Sequence, residues 1–234
     1  STMEVQDWVV VHDSKGSTFL GYDELESDVK ISKYREINQK GKIFYQLVLD
    51  KTPFYPEGGG QIGDQGTLTF EDNRTIIFNT KKENNLIVHF IKDLPKDLTK
   101  VFKASVNHIK RSNSSKNHTA THLLHHALKS VLGMHVEQKG SLVQPNSLRF
   151  DFSHFSKVNN DELDKIEALV LQNIEANIAL EEFRNMPIDQ AKEMGATALF
   201  GEKYGKEVRV IKFNDSIELC GGTHVASTNI IGMF

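Results

Sequence analysis

Two short stretches in distant parts of the chain carry residues with the spacing of metal ligands. His118 and His122 are four residues apart, so on a helix their imidazoles lie on one face, one turn above each other. Cys220 and His224 flank Gly221-Gly222-Thr223, and the two glycines permit a tight turn. Three imidazoles and a thiolate form a tetrahedral donor set, for which zinc is the leading candidate.

The residues around these histidines narrow the chemistry. His125 and His126 follow on the same predicted helix and are alternative ligands, although we expect them beside the site or on the surface. Directly after the first histidine stands Thr119, where zinc peptidases of the His-Glu-x-x-His type carry their general base. The pattern therefore disfavours a metallopeptidase. Paired helical histidines are often surface residues and a lone cysteine is often merely buried, so the prediction depends on the combination.

Composition excludes several classes of protein. With 234 residues, 38% of them hydrophobic, the chain suits one large globular domain or two small ones. Its apolar runs are far shorter than the ~20 residues of a membrane span, and its first residues do not have the basic and apolar pattern that would predict a signal peptide. The single cysteine cannot form an internal disulfide, which favours a reducing cytoplasm. We expect neither a membrane nor DNA as a partner.

Charge is distributed unevenly along the chain despite a net charge of only -3. The stretch from residue 96 to 116 is basic, whereas residues 161–193 are mainly acidic. We expect Lys110, Arg111 and Lys116, which precede or enter the histidine helix, to meet phosphates. The alternative is that both stretches are ordinary solvated surfaces.

The hydrophobic pattern predicts an α+β protein with a boundary near residue 104. Short alternating runs separated by turn residues predict a small β-barrel or curled sheet over residues 1–103. Residues 104–234 form the second predicted domain, with helices over 115–132 and 161–185. Strands are predicted there over 147–152, 207–213 and 216–219.

Six motifs, taken in order, resemble the editing region of alanyl-tRNA synthetases, and the match covers nearly the whole chain. They are Thr52-Pro53-Phe54-Tyr55-Pro56-Glu57-Gly58-Gly59-Gly60-Gln61, Asn117-His118-Thr119-Ala120-Thr121-His122-Leu123-Leu124-His125, Gln138-Lys139-Gly140-Ser141-Leu142-Val143, Arg149-Phe150-Asp151-Phe152-Ser153-His154-Phe155, Ala198-Leu199-Phe200-Gly201-Glu202-Lys203-Tyr204-Gly205 and Glu218-Leu219-Cys220-Gly221-Gly222-Thr223-His224.

The resemblance implies a small N-terminal β-barrel followed by an α/β sandwich editing domain, related to that of threonyl-tRNA synthetase and to free-standing AlaX deacylases. It implies one zinc ion per chain, held by His118, His122, Cys220 and His224. It also implies that Thr121 and Gln138, with Ser141 nearby, form the catalytic pocket. The segment that contains Thr52, Gly59, Gly60 and Gln61 would bind the terminal adenosine or the aminoacyl group.

The implied activity is hydrolysis of Ser-tRNA and Gly-tRNA specific for alanine, by an excised fragment of the synthetase. The partner is the acceptor end of that tRNA, and the aminoacylation motifs and oligomerising region of a complete synthetase are not expected here. Alternatives are a free-standing AlaX-type trans-editing deacylase, a non-catalytic zinc-stabilised tRNA-binding module, a general zinc hydrolase and a structural zinc domain.

Overall fold

The computed structural model describes residues 3–14, 16–198 and 204–234. The chain divides into two compact units, one of residues 1–58 and 62–111 and the other of residues 59–61 and 112–234. The domain limits predicted from the sequence, 1–103 and 104–234, stay a prediction. Within the described ranges, no helix combines the length and the apolar character needed to cross a membrane.

The first unit consists of strands. They are β1 (Met3–Val5), β2 (Val9–Val10), β3 (Thr18–Phe19), β4 (Glu26–Gln39), β5 (Lys42–Leu49), β6 (Lys51–Thr52), β7 (Gly66–Phe70), β8 (Asn73–Glu83), β9 (Leu86–Ile91) and β10 (Val101–Val106). Six of them pair in the order β4-β10-β7-β8-β9-β5, and β5 pairs again with β4. The sheet is therefore a closed barrel, which confirms the predicted N-terminal barrel.

Two tight turns set the register of this barrel. Lys40-Gly41 joins β4 to β5 and Asn84-Asn85 joins β8 to β9, and all four residues have positive φ between 45° and 77°. Two-residue loops with positive φ match the twist of antiparallel strands, and glycine and asparagine tolerate that conformation best. The register directs alternate side chains inward to a core of Val29, Ile31, Leu47, Leu49, Phe54, Leu68, Ile77, Ile91, Phe102, Ala104 and Val106.

The second unit combines helices with short antiparallel sheets. Its elements are α1 (His108–Leu132, of which residues from 112 onward belong to this unit), β11 (Gln138–Gln144), β12 (Ser147–Phe152), α2 (Asn160–Glu175), β13 (Glu181–Pro187), α3 (Ile188–Glu193), β14 (Glu207–Phe213), β15 (Ser216–Leu219) and a 3₁₀ turn at Thr228–Ile231. The predicted α+β class is confirmed.

Antiparallel pairing organises these strands. Strands β11 and β12 form a hairpin, and β13, β14 and β15 form a three-stranded antiparallel sheet in chain order. The main core contains Leu123, Ala127, Leu128, Val136, Ile166, Val170, Ile174, Ile211, Phe213 and Val225. Helix α1 therefore packs one apolar stripe into this core, while its polar face is left to form the site described below.

Helix α1 begins seven residues before the predicted start at residue 115. Asn107 caps it, because its side chain accepts a hydrogen bond from the backbone N–H of Lys110 at 3.1 Å. Ser114 and Ser115, at the predicted start, are instead buried within the helix. The predicted end at residue 132 is confirmed, and Gly133, which follows it, has φ +116° and donates its N–H to the carbonyl of Lys129.

Helix α2 is shorter than the predicted span of 161–185. Asn159 forms a capping box with Glu162 at its start, and Asn177, at φ +49°, follows its end. The residues beyond form β13 and pair with β14, so the prediction of helix over 181–185 was wrong. An amphipathic pattern could not reveal this, because the pairing partner lies more than 20 residues further along the chain.

Candidate metal centre

Helix α1 and the turn after β15 bring together the four side chains predicted as metal ligands. The candidate ligand atoms of His118, His122, Cys220 and His224 all lie within 4.8 Å of one another. The ring centroids of His118 and His122 are 5.1 Å apart, and both lie about 4.5 Å from that of His224, at 4.4 and 4.5 Å. His125 and His126, the alternative ligands, are not members of this cluster.

The turn that carries Cys220 has little room for larger residues. A Cβ at Gly222 would lie 2.0 Å from Cε1 of His118, so any side chain there would displace the ring. The N–H of Gly222 donates to the Cys220 Sγ at 3.3 Å. Arg209 of β14 donates to the carbonyls of Cys220 and Gly222 at 2.9 and 2.7 Å. Backbone and guanidinium contacts thus hold the thiol against the imidazoles.

In His118 and His224, one ring nitrogen faces the Cys220 thiol and the other contacts a neighbouring polar side chain. Nδ1 of His118 donates to Oε1 of Gln61 at 2.7 Å, and Nδ1 of His224 lies 3.0 Å from Oγ1 of Thr119. Their Nε2 atoms are then 3.4 and 3.3 Å from the Cys220 Sγ. Ligands bound to one tetrahedral zinc at about 2.0 Å (nitrogen) and 2.3 Å (sulfur) would be roughly 3.5 Å apart, so this spacing fits a shared ion.

Glu218 holds the third imidazole from the opposite side. Its carboxylate lies 3.3 Å from Nε2 of His122 and 2.9 Å from Nδ1 of His125. Among the described residues no hydrogen-bond partner meets Nδ1 of His122, although this atom is buried. A buried polar atom without a partner is costly, so this nitrogen is the one available to an ion.

Burial keeps the cluster in the form that binds metal. Desolvation, followed by the neighbouring histidines and Arg209, holds the pKa of His118 and of His224 well below the usual value. Desolvation also lowers the pKa of His122, against the opposing effect of Glu218. Burial alone would raise the pKa of Glu218, but His122, His125 and Lys129 together lower it. Neutral imidazoles beside an anionic carboxylate can therefore hold a cation.

The predicted pocket residues of the second unit lie in two places, one around strand β11 and the other on helix α1. On β11, Gln138 donates from Nε2 to Oγ of Ser141 at 3.0 Å. Gly60 lies against that serine, because a Cβ there would be 2.2 Å from its Oγ, and its neighbour Gly59 is exposed with φ +57°. Thr121 is buried in α1 and donates its hydroxyl proton to the carbonyl of Asn117 at 2.7 Å.

Thr52 is placed in the core of the barrel. Its side chain is fully buried, with Oγ1 2.8 Å from Nε2 of His89 and accepting from the N–H of Phe54 at 3.1 Å. Its predicted contact with substrate stays a prediction.

The three basic residues expected to meet phosphates differ in their surroundings. Lys110 is exposed and donates to Gln65, and Lys116 is half-buried beside a groove of about 300 Å³ in the second unit. Arg111 is only 5% exposed, and it pairs with Asp64 and donates to the carbonyls of Gly21 and Pro53. These bonds occupy its guanidinium inside the first unit, and its predicted contact with phosphate stays a prediction.

Sequence reasoning missed the residues that hold the imidazoles from outside. Thr119 served only to disfavour a peptidase, and Glu218 was read as part of a motif without a role. For Glu218 the local pattern is misleading: it shares a strand face with polar Ser216 on β15, which predicts an exposed face, yet the structure buries both residues. For Gln61 no local signal exists, since its partners His118 and Thr223 are 57 and 162 residues away. Residues 199–203 of the predicted Ala198–Gly205 motif lie outside the described residues.

Two family models match parts of the chain. Residues 1–108 match the family model described as tRNA synthetases class II (A). Residues 208–234 match the threonyl and alanyl tRNA synthetase second additional domain.

Curated relatives match over almost the full chain. An alanine-tRNA ligase of Parabacteroides distasonis is 56% identical over 232 residues, which are 99% of this chain and 26% of that protein. Those of Cytophaga hutchinsonii and Porphyromonas gingivalis are 56% and 54% identical over the whole chain and 27% of their own length. The chain thus spans about a quarter of the length of the curated relatives it matches.

Proposed function

This chain belongs to the alanyl-tRNA synthetase family, and from that premise we propose that it is an editing deacylase. It hydrolyses the ester that joins serine or glycine to tRNA specific for alanine, as a fragment of the synthetase. The observation that carries this proposal is the convergence of three imidazoles and one thiol, drawn from α1 and from the turn after β15. That turn lies within residues 208–234, which match the threonyl and alanyl tRNA synthetase second additional domain.

Zinc is the ion we propose for this cluster. The borderline-soft set of three nitrogens and one sulfur suits zinc, and the Sγ to Nε2 distances of 3.3 and 3.4 Å fit its tetrahedral geometry. His118, His122, Cys220 and His224 would hold one ion. When bound, zinc supplies a Lewis-acidic centre that can orient a substrate group.

A physical reason makes such an activity necessary in this family. A pocket shaped for alanine rejects glycine weakly, because one methyl group is worth only ~1–3 kcal/mol, and a small added hydroxyl is similarly hard to exclude. A second site that hydrolyses the errors restores fidelity. It must accept the serine hydroxyl through hydrogen bonds and leave correctly attached alanine intact.

The chain's own polar groups would supply that recognition. Gln138 and Ser141 form a hydrogen-bonded pair whose remaining donors and acceptors can orient the attacking water or the serine hydroxyl. The hydroxyl of Thr121 already donates a hydrogen bond to the carbonyl of Asn117, so toward substrate it acts only as an acceptor. The exposed Gly59 would meet the aminoacyl end beside Ser141, against which Gly60 packs too closely to admit a side chain.

Further contacts would bind the nucleic acid. Lys110 and Lys116 are the basic residues we assign to phosphates of the acceptor end. Thr52, on the barrel, is retained as a candidate for contact with the terminal adenosine or the aminoacyl group. Gln61 itself orients His118 and Thr223, so its effect on substrate would be indirect.

Two other functions use the same residues. An AlaX-type deacylase would act in trans as a separate protein, and a zinc-stabilised tRNA-binding module would bind tRNA without hydrolysing it. A single assay separates binding from hydrolysis: the purified chain is incubated with Ser-tRNA, Gly-tRNA and Ala-tRNA for alanine, and release of each amino acid is followed. We expect release of serine and glycine but not alanine. Binding without release would favour the module.

The hairpin offers a matched pair of variants for this assay. Gln138 donates to Ser141 at one end, and Gln144 donates to Ser147 at the other with nearly the same geometry, 3.0 and 2.9 Å. We expect Gln138→Ala to slow serine release at least several-fold, since it removes a group that can hold the reacting atoms. Gln144→Ala should leave it unchanged. Equal rates for the two variants would remove Gln138 from the proposed pocket.

A further inference from the structure

Three aromatic rings form a small layered cluster beside the β11–β12 hairpin. The ring of Phe155 stacks on that of His135, with centroids 4.3 Å apart and an interplanar angle of 22°. His135 in turn is hydrogen-bonded through Nε2 to Nδ1 of His154 at 2.9 Å, and their rings are inclined by only 19°. One face of Phe155 is covered in this way, yet the side chain is 85% exposed.

The surrounding turn holds this stack in place. Gly133 adopts φ +116°, and a Cβ there would lie 2.9 Å from Nδ1 of His135, so the turn needs glycine to admit the imidazole. Val136 is fully buried next to it. The N–H of Ser153 donates to the carbonyl of Glu137 at 3.0 Å and ties the two segments together. The Phe155 ring is thus oriented before any ligand arrives.

We propose that the outer face of Phe155 is a stacking site for one unpaired nucleobase of the tRNA acceptor end. The open surface is a single planar ring face, which matches a base and is too small for a stable protein interface. Lys157, two residues further on, is exposed and has no ion-pair partner within the described ranges, so it can meet the adjoining phosphate.

The position of the stack supports this choice of ligand. His135 precedes Gln138 by three residues, and Phe155 follows Phe152, the register partner of Gln138, by three residues. Three residues span at most about 10 Å of chain, so the backbones of His135 and Phe155 lie within about that distance of Gln138 and of its partner Phe152, respectively. A base held there would belong to the single-stranded end whose ester enters the pocket. This inference rests on the proposed function, because it assumes that tRNA is the substrate.

The test uses an RNA minihelix with four unpaired 3′ nucleotides, the last replaced by fluorescent 2-aminopurine, and the whole chain as purified. Stacking on an aromatic ring quenches this probe. We expect quenching with the unmodified chain and with Phe155→Trp, about tenfold weaker binding without quenching for Phe155→Leu, and no quenching with a blunt minihelix. Leu163→Ala, which removes another apolar side chain that is 50% exposed, on α2, should bind normally.

The outcomes separate this inference from the deacylase proposal. Quenching that persists in Phe155→Leu, or that never occurs with the unmodified chain, overturns the stacking site. If deacylation is normal while Phe155 is irrelevant to quenching, the stacking site fails and the proposed function stands. If quenching depends on Phe155 but no amino acid is ever released, the stacking site stands and the deacylase proposal fails.

Discussion

The barrel and the second unit each bury histidines, but the ring nitrogens have different partners in the two. In the barrel, both nitrogens of His89 are satisfied, one by the carbonyl of Leu47 at 3.1 Å and the other by the hydroxyl of Thr52 at 2.8 Å. In the second unit, His118 and His224 each have one nitrogen held outward and the other beside the thiol of Cys220.

The difference shows that burial alone does not identify a ligand histidine. His89 completes its hydrogen bonds within the fold and leaves nothing for an ion. The cluster histidines are buried as well, yet their inner nitrogens converge on one another and on a thiol, and only a cation satisfies that arrangement well. Counting partners for each ring nitrogen separates the two roles.

The largest effect should come from removing the thiol. We expect Cys220→Ala to reduce bound metal from about one ion per chain to near zero, because three neutral imidazoles without a thiolate lose the only anionic ligand. Elemental analysis of protein purified without added metal measures this. His89→Gln is the matched control and should keep a full complement of metal. A metal content that is unaffected by the loss of Cys220 would show that the cluster of the second unit does not hold the metal.

The next largest effect should be a loss of stability in acid, caused by the buried His89 of the barrel. Burial, the dominant cause, lowers the pKa of His89 from 6.5 to about 4, so the folded barrel binds this proton less readily than the unfolded chain. The contribution of neutral His89 to the free energy of unfolding is complete above pH 6.5. It is lost at ~1.4 kcal/mol per pH unit as the pH falls from 6.5 to about 4, which is roughly 3 kcal/mol in all. Urea unfolding across this range should give a flatter pH profile for His89→Gln. Parallel profiles would show that His89 does not titrate as described.

A smaller effect is expected from the carboxylate behind the cluster. Glu218→Gln retains the shape but weakens the contact with Nε2 of His122, and losses of this kind cost about 10- to 100-fold in metal affinity. Competition with a chelator of known affinity measures the change. Glu207→Gln, at the exposed first position of β14, serves as the control and should leave the metal affinity unchanged. If both variants bind metal equally well, Glu218 does not orient the histidine.

The smallest expected effect concerns serine selectivity. Thr121→Val preserves shape and removes one acceptor, so we expect serine release to slow several-fold, equivalent to ~0.5–1.5 kcal/mol, with less effect on glycine release. Metal content should stay normal, since the hydroxyl donates to Asn117 and contacts no candidate ligand in the described structure. An equal decrease for both substrates would mean that this hydroxyl serves only the helix.

Local spacing was sufficient for part of this protein. The four-residue interval between His118 and His122 places both imidazoles on one helix face wherever the helix lies. The Cys220 to His224 turn, the strands over 66–70, 86–91, 147–152, 207–213 and 216–219, and the stop at Gly133 also follow from short-range patterns. Each depends on residues that are near neighbours in the chain, so the sequence alone determined them.

Other features depend on residues that meet only after folding. The start of α1 at His108 and the pairing of Glu181–Pro187 with β14 overrode the local pattern. The partners of the cluster are equally remote: Gln61 lies 57 residues from His118, and Glu218 lies 93 residues from His125. Hydrogen bonds between residues that are remote in sequence, and the burial of a single carboxylate, leave no repeating pattern in the sequence from which they could be predicted. Only the tertiary structure could therefore decide which polar side chains hold each imidazole, and why His89 is not a ligand.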